Sequence, residues 1–143
     1  MTKFEDLDVW QTARKTVNAV YDITRKGELS KDFGLKDQLQ RASVSVMTNI
    51  AEGFERTSPA EKLHFYNIAR ASCGEVRSLL YVVEDNYPNS AEHLPDLRES
   101  VNATGSLLSG LMASTRKRLI GKTTGLIALL MIPATYLITQ YSF

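Results

Sequence analysis

With 143 residues, a hydrophobic fraction of 43% and a charged fraction of 23%, the chain can bury one core and is too apolar for bulk disorder. The 17 basic and 16 acidic side chains leave a net charge of +1, so total charge argues for no polyanionic partner; only the placement of charges can. One cysteine, Cys73, and two histidines, His64 and His93, are too few for a disulfide framework or a Cys/His zinc site, and no metal or cofactor is expected.

The first ten residues, MTKFEDLDVW, are acidic and lack the apolar run of a secretory signal, so cytoplasmic residence is the expectation. Residues 6–26 then carry Leu7, Trp10, Ala13, Val17, Val20, Tyr21 and Thr24 at steps of three and four, the mark of one helical face. Arg25 and Lys26 suit the negative end of that helix, and Gly27 suits a left-handed cap. A polar connection, GELSKDFG, follows.

The second predicted helix, residues 35–54, has two stripes. Leu35, Leu39, Ala42, Val46, Ile50 and Gly53 form an apolar one. Gln38, Arg41, Ser45, Asn49, Glu52 and Arg56 form a polar one beside it, at the same spacing. Either that stripe is a solvated face, or its short side chains, lying next to small Ala42 and Gly53, join a neighbouring helix.

The stretch NIAEGFERTSPAEK, residues 49–62, invites an active-site reading through Glu52, yet its second half has the chemistry of a helix start. Ser58 is a good N-cap, Pro59 fits the first helical position and Glu61 completes a capping box. GFERT is then a tight connection that makes the second and third helices antiparallel neighbours. The third helix continues with Phe65, Ala69, Ser72, Val76, Leu79, Leu80 and Val83 on one face and stops near Tyr87-Pro88. A fourth begins between Ser90 and Pro95 and carries Leu97, Val101, Leu108, Leu111, Met112 and Thr115 to about residue 119. The expected fold is all-α: an antiparallel up-down-up-down four-helix bundle, residues 1–119.

Residues 120–143 form an extra apolar C-terminal segment, and from Thr123 onward it has no charge at all. The basic run RKRLIGK precedes it, the pattern of a membrane anchor with cations on the cytoplasmic side. Pro133 and several threonines dilute its apolarity, and a helix docked on the bundle or an oligomer contact are the alternatives.

GKTT at 121–124 ends like a phosphate-binding loop, but Arg116 stands where that loop needs glycine and no strand precedes it. Asn102-Ala103-Thr104 matches a glycosylation sequon by chance. Cys73, among Ala71, Gly74 and Val76, is expected to be a small buried hydrophobe rather than a nucleophile. Glu52 and Glu75 could face each other as an acid–base pair, although ion pairing with Arg41, Arg56 or Arg70 is the more economical use. No catalytic residue is assigned. Basic residues gather in two sets: Arg116, Lys117, Arg118 and Lys122 at the end of the fourth helix, and Lys36, Arg41 and Arg56 on the second. They complement helix dipoles, flank the tail, or touch phosphate.

FEDLDVWQTA at 4–13, FGLKDQLQRASVSVMTNIAEGFER at 33–56 and FYNIARASCGE at 65–75 together resemble the four-helix bundle proteins of the 23S rRNA intervening-sequence family. The resemblance implies a non-catalytic bundle that assembles into a homopentameric ring. It also implies likeness to the accessory variability proteins of diversity-generating retroelements, which bind nucleic acid and partner a reverse transcriptase. On that basis Gln38, Ser45, Asn49, Glu52 and Glu75 are expected at helix or subunit contacts. Lys36, Arg41, Arg56, Arg116, Lys117 and Arg118 are expected to meet nucleic acid, and a ring would multiply them. The expected function is an oligomeric scaffold for RNA or an RNA–DNA hybrid. The alternative is a membrane-tethered bundle that meets a protein partner through its tail.

Overall fold

The structure, a computed structural model, describes residues 3–130. Four helices make up nearly all of it: α1 (Asp8–Thr24), α2 (Phe33–Glu55), α3 (Pro59–Asn86) and α4 (Leu94–Leu130). Short 3-10 turns precede α1 (Phe4–Asp6) and bridge α1 to α2 (Glu28–Lys31) and α3 to α4 (Pro88–His93). Among the described residues there is no strand.

Each helix packs on two neighbours, α2 on α1 and α3, and α4 on α3 and α1. The residue pairs across the seams run in opposite senses, which makes neighbouring helices antiparallel. Between α2 and α3, Ser45 meets Ser72 while Gly53, later in α2, meets Tyr66, earlier in α3. Beyond the start of α2, Asp32 meets Tyr87 at the far end of α3. Each of the four seams carries at least one polar cross-link: Gln40 Nε2 donates to Thr24 Oγ1 at 2.8 Å, and the Ser45 and Ser72 hydroxyls lie 2.8 Å apart. Arg98 pairs with Glu84 at 2.6 Å, and the Thr16 and Ser100 hydroxyls lie 2.7 Å apart.

The apolar stripe of α2 is buried at every position expected: Leu35, Leu39, Ala42, Val46, Ile50 and Gly53. It meets Ala13, Val20 and Ile23 of α1, Ala69, Val76, Leu80 and Val83 of α3, and Leu97, Val101, Leu108 and Met112 of α4 in one core. The buried polar residues are hydroxyls that bond within their own helices or across a seam, so the core holds few unmet polar groups. Thr24 donates to Val20 O, Thr104 to Ser100 O and Thr115 to Leu111 O.

Four local features differ from the sequence expectation. α2 starts earlier because Asp32 caps it, its carboxylate accepting from Leu35 N at 3.0 Å. Ser58 and Pro59 do open α3, but the Ser58 hydroxyl makes no capping bond; only its carbonyl does, accepting from Lys62 N. Gly27 is the one described residue with positive φ, +58°, yet it lies beyond the Arg25 cap and begins the next turn. α4 runs on to Leu130 instead of stopping near residue 119, because no proline intervenes and isolated glycines, Gly121 and Gly125, do not end a helix.

The described part of the tail therefore continues α4. Among the described residues no helix is long and apolar enough to cross a membrane. Residues 131–143, which hold most of the uncharged stretch, lie outside the described residues.

Candidate functional site

The end of the bundle where α2 closes and α3 opens is built on a missing side chain. A Cβ on Gly53 would stand 2.5 Å from Tyr66 Cε1 and 3.2 Å from Phe65 Cβ, so only glycine lets α3 come this close. That approach seats Tyr66 in the core at 2% exposure and places Phe65 beside the last turn of α2. The Arg56 guanidinium lies over the Phe65 ring at 4.7 Å and is ion-paired with Glu52, one turn back on α2. Arg56 Nε is buried and has no hydrogen-bond partner among the described residues.

Lys62 completes this end. A lysine so near the start of a helix works against the helix dipole, and its position has another cause. Its Nζ donates to Phe54 O at 2.5 Å and Gly53 O at 3.4 Å, satisfying carbonyls that α2 leaves open. Burial lowers the Lys62 pKa, and the positive charge of Arg118 lowers it further, against the pull of Glu55. Arg118 also acts on Tyr66, whose pKa burial raises. Exposed Arg116 and Lys117 share a helical turn with Arg118. Arg56, Lys62, Arg116, Lys117 and Arg118 thus gather at one end of the bundle, where the acids are Glu52, Glu55 and Glu61, with Glu5 and Asp6 in the opening turn that packs against α2.

Lys36 and Arg41 lie elsewhere. Twenty residues of α2 separate Lys36 from Arg56, about 30 Å along the axis, so the three α2 cations do not form one set in space. Lys36 sits over Phe33 at 4.9 Å and donates to Ser30 O at 3.3 Å. Arg41 is exposed and lies 3.7 Å from Asp37.

Among the shorter polar residues of α2, Ser45 reaches α3 and Asn49 holds it in place. Asn49 Nδ2 donates to Ser45 O at 2.8 Å and to Ser45 Oγ at 3.2 Å, holding the hydroxyl that meets Ser72. Gln38 and Glu75 are exposed. The structure does not bring Glu52 and Glu75 together: Glu52 lies level with Phe65, and Glu75 is ten residues further along α3, about 15 Å away. Cys73 is buried at 4% exposure, and burial pushes its thiol up to about 11, partly offset by Arg77. Among the described residues no three His, Cys, Asp or Glu side chains are grouped to hold a metal ion.

Lys62 is the residue that sequence reasoning overlooked, and its signal was an unfavourable placement: a cation in the opening of a helix immediately after a short connection. What this end can do is electrostatic. Its cations can hold phosphate oxygens, while its one central carboxylate, Glu52, is engaged by Arg56.

Fold and site together define an all-α four-helix bundle with a basic end. The family description "23S rRNA-intervening sequence protein" matches residues 5–110, and the chain belongs to that family. A crystal structure of a protein of unknown function from the S23 ribosomal protein family of Bacteroides thetaiotaomicron superposes with a TM-score of 0.66 at 20% identity. The match covers 73% of this chain and 95% of that one, and at this identity it speaks for the fold. Among curated proteins nothing matches the chain.

Proposed function

We propose that the protein is a non-enzymatic, oligomeric scaffold that binds RNA or an RNA–DNA hybrid, and that a reverse transcriptase of a diversity-generating retroelement is the partner it serves. The observation that carries the nucleic-acid reading is the run of exposed Arg116, Lys117 and Arg118 on one turn of α4, at the end where Lys62 closes α2. Like charges held together at a surface cost free energy that a polyanion would recover. Membership of the intervening-sequence family supports the same reading, and the assembly and the reverse transcriptase rest on the family resemblance alone. Within a ring, each subunit would add its basic end to a shared surface, which compensates for a net charge of only +1.

The test is binding of a labelled single-stranded RNA across a salt series, with sedimentation of the free protein alongside. Affinity should fall steeply as salt rises, and Arg116→Ala/Arg118→Ala should flatten that dependence by about 0.7 per lost phosphate contact. No binding at low salt, or binding indifferent to salt, removes the nucleic-acid reading. A monomer at all concentrations removes the scaffold.

A further inference from the structure

A second basic feature lies away from that end, along the seam between α3 and α4. Arg70 and Arg77 stand seven residues apart on α3, on the same face and about 10 Å apart along the axis. Both are exposed, and neither makes an ion pair with a described residue. The sequence arranges this: their neighbours three and four residues away are Tyr66, Asn67, Cys73, Gly74, Leu80 and Tyr81, none of them acidic. Glu75 lies between them in sequence but points to the other side of the helix.

The two arginines flank an open groove of about 410 Å³, whose α4 wall presents Asn102, Ser106 and Ser109. Glu99, one turn before Asn102, makes no ion pair with either arginine. Gly74 and Gly105 face each other across the groove, and a Cβ on either would meet nothing within 4 Å. Glycine inside a helix costs stability, and here no packing within the subunit requires it. The pair keeps a channel open between two cations and the Asn102 and Ser106 side chains, beside Ser109, whose hydroxyl donates to Gly105 O.

We propose that this groove is the track for the sugar–phosphate backbone of a single nucleic-acid strand. Arg70 and Arg77 each hold a phosphate, and Asn102 and Ser106 donate to phosphate or sugar oxygens between them. The inference rests on the nucleic-acid reading above and names a surface that the basic end does not include.

The test uses the full chain with poly(U) RNA and poly(dT) DNA in parallel. Arg70→Ala/Arg77→Ala should weaken binding and reduce the log–log salt slope by about 1.4, two contacts at about 0.7 each for a single strand. An equal loss on both polymers assigns the contacts to phosphate; a greater loss on RNA adds the 2′-hydroxyl. Wild-type binding with an unaltered slope in the variant overturns the groove and leaves the basic end as the site. Absence of wild-type binding overturns both. A change in the oligomeric state of the variant makes the seam a subunit contact and also overturns the proposal. A second probe is independent of the arginines: Ser106→Cys supplies an exposed thiol, while Cys73 stays buried and protonated. Either polymer should slow its alkylation severalfold, and an unchanged rate under saturating binding overturns the track.

Discussion

Gly53 of α2 and Tyr66 of α3 occupy one another's space: the ring fills the volume a side chain on Gly53 would need, with Cε1 and Cδ1 at 2.5 and 2.7 Å from the missing Cβ. Two effects of Gly53→Ala oppose each other. Alanine improves helix propensity by up to about 1 kcal/mol. Overpacking a buried ring, with Phe65 Cβ also only 3.2 Å away, typically costs about 1–3 kcal/mol. The clash involves a ring held at 2% exposure, so it wins, and Gly53→Ala should destabilise by about 1–2 kcal/mol in urea denaturation. Gly74→Ala, where nothing lies within 4 Å, should do the opposite and stabilise by roughly 0.5–1 kcal/mol. The same sign for both substitutions would refute the close-approach account.

The Ser45–Ser72 contact predicts a coupling. Both hydroxyls sit at a partly buried seam 2.8 Å apart, and Asn49 braces Ser45 from the following turn. Ser72→Ala should cost about 1 kcal/mol, because it leaves Ser45 with a weaker set of partners. Ser45→Ala should cost a similar amount, and the double variant less than their sum by about 0.5–1.5 kcal/mol. Strict additivity in the double-mutant cycle would mean that the two hydroxyls do not bond in solution.

How much of this was legible in the sequence depends on the length scale. The α2 core stripe was readable because six apolar positions repeat over more than five turns, and nothing else produces that period. The α3 face was read through Phe65, and the structure buries Tyr66 instead. Periodicity allows either ring, and the decision is made by Gly53 on another helix, a tertiary fact. The polar stripe was visible as residue types, but its division was not. Ser45 turns to α3 with Asn49 bracing it, Arg41 and Gln38 turn to solvent, and Arg56 to Phe65, and that sorting depends on where each falls against the next helix. Arg70 and Arg77 were missed as a pair because each looks like an ordinary exposed arginine until α4 supplies the opposite wall.

The contact between Asp32 and Tyr87 gives a pH prediction. Asp32 caps α2, and its pKa is held below the ordinary 3.8 first by the Leu35 amide and then by the Tyr87 hydroxyl at 2.7 Å. A depressed carboxylate adds stability above its unfolded value, and that contribution is lost as pH falls below 3.8 through the folded value. Tyr87→Phe removes the one side-chain hydrogen bond among those that hold the carboxylate, so wild type should lead it at neutral pH and lose part of that lead on acidification. Urea midpoints for the two proteins across the acid range measure this. A gap that stays constant with pH would dissociate Tyr87 from the Asp32 charge.

Cys73 makes the opposite prediction, at the alkaline end. Its side chain lies in the core beneath the α3–α4 groove, and burial raises the thiol from 9.0 to about 11 while Arg77 draws it back slightly. The unfolded thiol ionises first, so the contribution of Cys73 to stability is complete below 9.0 and declines as pH rises toward 11. Cys73→Ala should therefore narrow its stability deficit relative to wild type across that window. The thiolate is the reactive form, so the native protein near neutral pH should resist N-ethylmaleimide and the urea-unfolded chain should react readily. Native labelling as fast as unfolded labelling would mean that α3 and α4 part often enough to expose the thiol, and the seam would then be a mobile joint in place of the fixed wall described above.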